Sequence, residues 1–287
     1  MTAETLHPHQ NPATVLLAAL VDDAGLFPPT QLPLAEAVAR HRGDQQRQHP
    51  MHSHTFLCPS SRWAELHSAL HDTDRFHVGV ILDEDTAGLP TPVAEPGPSD
   101  PLRIAHVEAR VEPDDIGKAA RFLRGANPET TRPVYLELNR GPGWQRSIAQ
   151  LHDAHPLGLK IRCGGPSAEL FPDPVEVAEF LELAVTHRVP IKATAGLHNA
   201  VRHRDATTGH LHYGYLNLVA AVVATVSGSD RDTVLTALTE TDAADLVSQL
   251  RTTEPHTARR ARAMFRSYGS CDTAQPVRDA ANLGLMH

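Results

Sequence analysis

The chain has 287 residues, a formal net charge of −8 at pH 7, and 41% hydrophobic against 21% charged residues. This composition is typical of a globular protein, and the negative balance argues against a general binder of nucleic acid or of anionic membranes. No apolar run reaches the roughly 20 residues of a membrane-spanning helix, and the start of the chain lacks a secretory pattern. Three cysteines far apart in the sequence indicate a reduced, cytoplasmic setting without a disulfide framework.

Proline and glycine separate short apolar segments along the whole chain. Near the start, the patterns predict helices over residues 13–24, 34–42 and 60–70, and strands over 55–58 and 78–82. The middle predicts strands over 102–111, 134–138, 157–161 and 190–193, alternating with helices over 113–124, 144–152 and 174–187. The last third predicts helices over 215–226 and 230–238, with two weaker strands over 245–248 and 265–268.

Strands that alternate with helices predict a parallel sheet with right-handed crossovers. With the two weaker strands the count reaches eight, which predicts a single-domain (β/α)8 barrel of the expected size. We expect residues 1–54 to form an N-terminal helical segment packed on a barrel of residues 55–287. The alternative is an open doubly wound parallel sheet, which fits less well because no glycine-rich dinucleotide-binding turn follows an early strand.

Four successive predicted strands carry polar residues two positions apart, so the polar side chains of each strand share one face. These residues are His106, Glu108 and Arg110; Tyr135, Glu137 and Asn139; Lys160 and Arg162; and Lys192 and Thr194. In a barrel this face is the interior, and polar groups near the carboxyl ends of the strands build active sites. The surplus of cations suits a carboxylate or phosphate substrate. The alternative is a closed salt-bridge network without chemistry.

Lysine is scarce, because only three of the 26 basic residues are lysine and the rest are arginine. Two of the three, Lys160 and Lys192, nevertheless lie in predicted strands, whereas Lys118 lies in a predicted helix. A lysine amine can lose its proton when burial or a nearby cation lowers its pKa, and a guanidinium cannot. We therefore expect one lysine to lower the pKa of the other and to prepare a Schiff-base nucleophile. The alternative is that each lysine pairs with Glu108 or Glu137.

The segments after these strands add further candidates. Gly164 and Gly165 follow Arg162 and leave backbone amides free to bind an anion, or they serve a tight turn. His198 is placed to act as a general acid or base, and Arg202 follows it as a substrate ligand. The candidate metal ligands are His198, His210 and His212, and His52 and His54 form a second His-x-His pair that precedes its strand.

Three segments together resemble an uncharacterised family of bacterial proteins: 24–29 (AGLFPP), 160–165 (KIRCGG) and 192–198 (KATAGLH). The resemblance extends to residues 269–271 and implies no activity. More distantly, residues 192–196 (KATAG) are similar to the lysine-bearing strand of deoxyribose-phosphate-type class I aldolases. That similarity implies Lys192 as the Schiff-base residue, Lys160 as the cation that tunes it, and Glu137 as the acid/base. In those aldolases the tuning lysine follows the Schiff-base strand, whereas Lys160 precedes it.

Together these features predict an enzyme that acts on a small anionic carbonyl metabolite by carbon–carbon lyase, aldolase-like or isomerase chemistry. One alternative is a metal-dependent hydrolase or lyase that uses the loop histidines, so a divalent metal is possible although no cofactor is favoured. Another is a barrel without catalysis that binds a metabolite or a partner. We expect no nucleic-acid or membrane partner, and a homo-oligomer is possible.

Overall fold

The computed structural model describes residues 11–83, 96–97, 99–119, 121, 132–152, 154, 156–206 and 208–286. Eight parallel strands close into a barrel in the order β1-β10-β7-β6-β5-β4-β3-β2. They are β1 (Val21–Asp23), β2 (His52–Pro59), β3 (Phe76–Ile81), β4 (Leu102–Val111), β5 (Val134–Leu138), β6 (Leu157–Arg162), β7 (Ile191–Thr194) and β10 (Phe265–Ser270). The closed order confirms the (β/α)8 prediction and excludes the open sheet. Two further strands, β8 (His203–Arg204) and β9 (Leu211–His212), form an antiparallel hairpin outside the barrel.

Helices form the outer layer around the strands. The described helices are α1 (Pro12–Leu17), α2 (Leu34–Arg47), α3 (Trp63–Ala69), α4 (Trp144–Ala149), α5 (Pro174–Thr186), α6 (Tyr215–Ser227), α7 (Arg231–Thr239), α8 (Ala243–Thr252), α9 (Pro255–Met264) and α10 (Ala274–Asn282). Helix α6 is buried along almost its whole length, because other helices as well as the barrel pack against it. Part of the helix predicted over 113–124 falls outside the described residues. None of the described helices has both the length and the apolar character that crossing a membrane requires.

The first strand of the barrel comes from the segment predicted to be helical. Helix α1 ends at Leu17, and Ala19 then adopts a left-handed φ of 50° that no helix continues. The three residues of β1 are buried and pair with β10 on one side and β2 on the other. The prediction of one helix over 13–24 is therefore wrong, and residues 1–54 contribute a barrel strand as well as helices.

The strand predicted over 245–248 is also wrong, because these residues lie within α8. Asp242 caps this helix by accepting from the backbone N–H of Ala244, and Leu246 and Leu250 bury the same face one turn apart. Helix α2 continues five residues beyond the helix predicted over 34–42, and β2 begins three residues before the strand predicted over 55–58. The second weak strand, over 265–268, is confirmed as the start of β10.

Glycines make room for large groups at two levels of the barrel. A Cβ on Gly79 would lie 2.4 Å from His106 Nε2, and one on Gly158 would lie 2.6 Å from Tyr135 Cδ1. Above the strands, Gly196 has a φ of 72°, and its Cβ would lie 2.4 Å from the carbonyl oxygen of Cys163. The loops that leave β6 and β7 therefore touch through their backbones, and this contact shapes the rim of the barrel.

Gly196→Ala should destabilise the protein by about 1–3 kcal/mol, because the new methyl group meets a backbone oxygen and the φ is unfavourable for alanine. Urea unfolding followed by circular dichroism measures the change. Gly141→Ala is the matched control, since its Cβ would meet no described atom within 4 Å and its φ is not left-handed. Equal stability of the two variants would contradict the close backbone contact.

Candidate active site

Six alternating charges lie next to one another inside the barrel and form what we call the buried charge chain. Lys192 Nζ lies 2.5 Å from Asp22 Oδ2 and 2.8 Å from Glu108 Oε1. Lys160 Nζ lies 2.7 Å from Glu108 Oε2 and 2.9 Å from Glu137 Oε2. Arg162 Nε lies 2.7 Å from Glu137 Oε1. The order is Asp22, Lys192, Glu108, Lys160, Glu137 and Arg162.

Strand register explains why these side chains meet. Glu137, Lys160, Lys192 and Ser267 are aligned across β5, β6, β7 and β10, so their side chains point to the same side of the barrel wall. Ser267 Oγ donates to Asp22 Oδ2 at 2.8 Å, which joins the aligned row to β1. The in-phase polar face predicted from the sequence is therefore the barrel interior.

The charges within this group nearly balance. Besides the members of the buried charge chain, Arg110 approaches Glu137 Oε1 with its Nε at 3.4 Å, so three carboxylates face four cations. The sequence alone suggested a surplus of two positive charges, and Asp22 reduces it to one. Arg110 supplies that surplus at the rim, where 65% of its side chain is exposed.

The pKa of each buried lysine is raised, not lowered. Burial by itself would lower the pKa of Lys192, but Asp22 and Glu108 outweigh burial and raise it. Burial likewise opposes the charge on Lys160, and Glu108 and Glu137 outweigh it. The expectation that one lysine lowers the pKa of the other is wrong for this arrangement, because Glu108 lies between the two ammonium groups.

The two central glutamates remain ionised for the same reason. Burial would raise the pKa of Glu108, but Lys160 and Lys192 hold it well below its usual range. Burial would also raise the pKa of Glu137, whereas Lys160 and Arg162 lower it to about 2. Every member with a shifted pKa is thus held in its charged form by its neighbours.

His106 contacts the middle of the buried charge chain through one nitrogen. Its Nε2 lies 2.8 Å from Lys192 Nζ and 2.9 Å from Glu108 Oε1. This nitrogen can accept a hydrogen bond from Lys192 or donate one to Glu108, but it cannot do both at once. Burial and the charge of Lys192 lower the pKa of His106, which favours the neutral ring. In the tautomer whose Nε2 carries no proton, the neutral ring presents an acceptor to Lys192.

Asp22, His106 and Glu108 form the only group of three metal-ligating side chains among the described residues with donor atoms within 4.8 Å of one another. The ammonium of Lys192 lies within 2.8 Å of a donor atom of each. The lysine therefore occupies the centre where a cation would bind. A metal ion could enter only if this ammonium moved away, so these donors do not provide an open metal site.

Arg162 and the two glycines after it lie at the rim, as the sequence suggested. About a quarter of the Arg162 side chain is exposed, and its strand position is aligned with Thr194 on β7. The amides of Gly164 and Gly165 donate no hydrogen bond to the described part of the chain. A Cβ on Gly164 would lie 2.8 Å from Gly196 Cα, so this glycine also has a packing role. Gly164 therefore packs against the loop after β7, and the amides of the pair can still donate to a bound anion.

Two predicted substrate ligands point elsewhere. The side-chain amide of Asn139 hydrogen-bonds to the carboxylate of Glu112, at the exposed end of its strand. Arg202 lies over the ring of Tyr213 and donates to the carbonyl of Leu238 in α7. The described contacts join neither residue to the buried charge chain.

The loop histidines lie near one another without converging on one point. The ring centroids of His198 and His212 are 6.2 Å apart, and His210 packs against Phe171 at 4.9 Å. The donor atoms of His198, His210 and His212 do not come within 4.8 Å of one another as a group, so the metal interpretation stays a prediction. His198 Nδ1 instead contacts Cys271 Sγ at 3.6 Å. Burial would raise the pKa of Cys271, but hydrogen bonds with His198 and Thr30 lower it.

Asp22 is the member that sequence reasoning did not place. The helix predicted over 13–24 places Asp22 near a helix end, so the sequence pattern does not assign it to the barrel interior. The usable signal is the short run Leu20-Val21-Asp22, in which a buried apolar residue precedes an acid, as at the other strand positions. Ser267 lies in the strand predicted over 265–268 but was not among the candidate site residues, and it also hydrogen-bonds to Asp22.

Comparison with protein-family models and with curated protein sequences finds no significant match to this chain.

Acid should destabilise the protein through Glu137. Its folded-state pKa of about 2 lies below the ordinary 4.5, so its contribution to stability is present above pH 4.5 and is lost as the pH falls toward 2. The free energy of unfolding should fall by up to about 3 kcal/mol across this range on account of this residue. Glu137→Gln should flatten that dependence in urea unfolding between pH 6 and 3, whereas the control Glu36→Gln, at an exposed position of α2, should keep it. An unchanged slope in Glu137→Gln would contradict the assignment.

Proposed function

We propose that this protein is an enzyme that acts on a small anionic carbonyl compound at the carboxyl-terminal mouth of the barrel. The reaction class is isomerase or aldolase-like carbon–carbon lyase chemistry. The observation that carries the proposal is the buried charge chain, which runs through the interior and ends at the rim at Arg162. The barrel fold adds support, because its enzymes place their active sites at this end.

A purely structural role explains the buried charge chain poorly. Removing charges from water is costly, and apolar side chains of similar volume often stabilise a protein interior as well or better. Lys192 is only 1% exposed and Lys160 only 5%. Charges kept in such positions are more simply explained by chemistry that needs proton transfer and a strong local field.

The rim offers the features that an anionic group needs. Arg110 and the partly exposed Arg162 provide guanidinium groups, and Gly164 and Gly165 provide backbone amides nearby in the sequence. A carboxylate or phosphate of the substrate would compete with Glu137 for these guanidinium groups. Losing part of this pairing raises the pKa of Glu137 and makes it a better base, so substrate binding itself prepares the catalyst.

In the isomerase version of the proposal, Glu137 takes a proton from the carbon next to the substrate carbonyl. Lys160, whose Nζ lies 2.9 Å from Glu137 Oε2, then stabilises the negative charge that develops on the carbonyl oxygen. On a substrate with a hydroxyl on that carbon, the hydroxyl proton passes to the former carbonyl oxygen, and Glu137 returns its proton to the former carbonyl carbon, so that the carbonyl moves by one position. The raised lysine pKa suits this role, because the ammonium is required in its charged form.

In the aldolase-like version, Lys192 attacks the substrate carbonyl and water leaves to form an imine. The amine must first lose a proton, and Nε2 of His106, 2.8 Å away, is the neutral acceptor within reach. The paired carboxylates oppose this step because they raise the pKa of Lys192. The isomerase version needs no such deprotonation, so it agrees better with the electrostatics.

Lysine-to-arginine variants test the proposal, because arginine keeps the charge but cannot match the compact geometry or the titration of an ammonium. The assay is deuterium incorporation from solvent into a panel of small carboxylated or phosphorylated aldehydes and ketones, followed by NMR. Lys160→Arg and Lys192→Arg should lower the exchange rate at least about 100-fold. Lys118→Arg is the matched control, since this lysine is 67% exposed and pairs with Asp115 on the surface.

Borohydride reduction with mass spectrometry separates the two versions. A reduced adduct on Lys192 would establish the aldolase-like version, and exchange without an adduct would establish the isomerase version. If compounds of the panel bind but none of them undergoes exchange or turnover, the proposal is overturned in favour of a binding barrel. Full activity in both buried-lysine variants would also overturn it.

A further inference from the structure

A second polar cluster lies on the opposite side of the barrel wall from the buried charge chain. Asp22 points into the barrel, so its neighbours Val21 and Asp23 point outward to the helices. There they border a cavity of about 10 Å³, which is roughly the room that one water molecule or one metal ion needs. We call it the outer histidine cavity, and its lining residues are Val21, Asp23, His41, Asp44, His52, His54 and Thr273.

Three imidazole nitrogens of this lining lack a partner. His41 Nε2, His52 Nδ1 and His54 Nδ1 are enclosed by protein and make no hydrogen bond. His41 and His52 are themselves more than nine-tenths buried. Buried polar atoms are nearly always satisfied, so three unsatisfied nitrogens around one cavity point to a bound ligand.

The hydrogen bonds on the far side of two rings fix where their protons lie. His52 Nε2 is 3.0 Å from the carbonyl oxygen of Thr273, which can only accept, so the proton is on Nε2. His41 Nδ1 is 3.1 Å from a carboxylate oxygen of Asp23 and donates to it in the same way. In the neutral rings, His41 Nε2 and His52 Nδ1 therefore carry lone pairs. An imidazole whose other nitrogen donates to a carboxylate or carbonyl is the usual arrangement of a metal-binding histidine.

His54 and Asp44 extend the donor set. His54 has a left-handed φ of 56° at the point where the pairing of β1 with β2 shifts register. Such an irregularity re-aims side chains and is frequent beside functional sites. The Asp44 carboxylate is held by Thr273 Oγ1 at 2.7 Å and by Arg47.

We propose that the outer histidine cavity binds one divalent transition-metal ion, for which Zn²⁺ is the best match. The imidazoles of His41, His52 and His54 and the carboxylate of Asp44 form a set of nitrogen and oxygen donors that suits tetrahedral zinc. As a group, the donor atoms around this cavity do not lie within 4.8 Å of one another, so some of these side chains must move to bind the ion. A single buried water molecule is the competing occupant.

The position of the cavity indicates a structural role for the ion. Its ligands come from α2 and β2, and the second-sphere carbonyl comes from Thr273, which follows β10. The cavity thus lies behind β1, the three-residue strand through which β10 and β2 close the barrel. Zinc there would join α2 to β2, and the hydrogen bond from His52 to Thr273 would connect the ion to the segment after β10, independently of the chemistry at the mouth.

Two near-isosteric substitutions remove a ligand atom while keeping the supporting hydrogen bond. The side-chain amide of His52→Gln can still donate to the Thr273 carbonyl but offers no lone pair in place of Nδ1. The amide of His41→Asn can still donate to Asp23 but offers none in place of Nε2. The paired variant His210→Gln/His212→Gln is the matched control, because it removes the other His-x-His pair.

The untagged full chain is stripped with a chelator and titrated with Zn²⁺ against a chromophoric competitor, and its metal content and melting temperature are then measured. One equivalent of Zn²⁺ should bind, raise the melting temperature, and bind at least about 100-fold more weakly in His41→Asn and His52→Gln. The paired control should keep wild-type affinity. No binding by the folded wild-type chain, or loss of binding only in the paired control, would overturn the proposal. Tetrahedral Co²⁺ bands from the wild-type chain provide an independent readout of the ligand geometry.

Discussion

The mutual neutralisation of charges inside the barrel is the constraint on which the interior depends. A charge without a partner at this depth would cost several kcal/mol, so each ammonium must lie between two carboxylates and each central carboxylate must meet two cations. Glu108 satisfies this requirement by using one oxygen for Lys192 and the other for Lys160. The glycine at position 79 contributes by leaving the space that the ring of His106 fills.

The electrostatic coupling between neighbouring charges also determines the proton affinities within the site. Because each group holds its neighbours in their charged forms, a change at Arg162 propagates to Glu137 and then to Lys160. An anion at the rim therefore alters proton affinities deeper in the barrel without any movement of the backbone. A lysine with a raised pKa fits the proposed isomerase reaction, in which its ammonium would serve as a permanent charge.

Strand β1 shows how much can depend on three residues. Asp22 enters the buried charge chain, while Asp23 faces α2, accepts from Arg40 and His41, and borders the outer histidine cavity. Alternation along a strand places these two neighbouring carboxylates on opposite sides of the barrel wall. Burial would raise the pKa of Asp23, and its partners His41 and Arg40 lower it, so both faces of the strand depend on paired charge.

The sequence by itself determined the fold class and the composition of the interior. Alternating strands and helices predicted the barrel, and two-residue spacing placed Glu108, Glu137, Lys160 and Lys192 on one face, because strand periodicity is a local property. The prediction from sequence was wrong for β1, because three residues carry too little periodicity to distinguish a strand from the end of a helix. Only the tertiary structure decided which charge faces which. The direction of a lysine pKa shift follows from its nearest neighbours in space, and Asp22, 170 positions away in sequence, is one of those of Lys192.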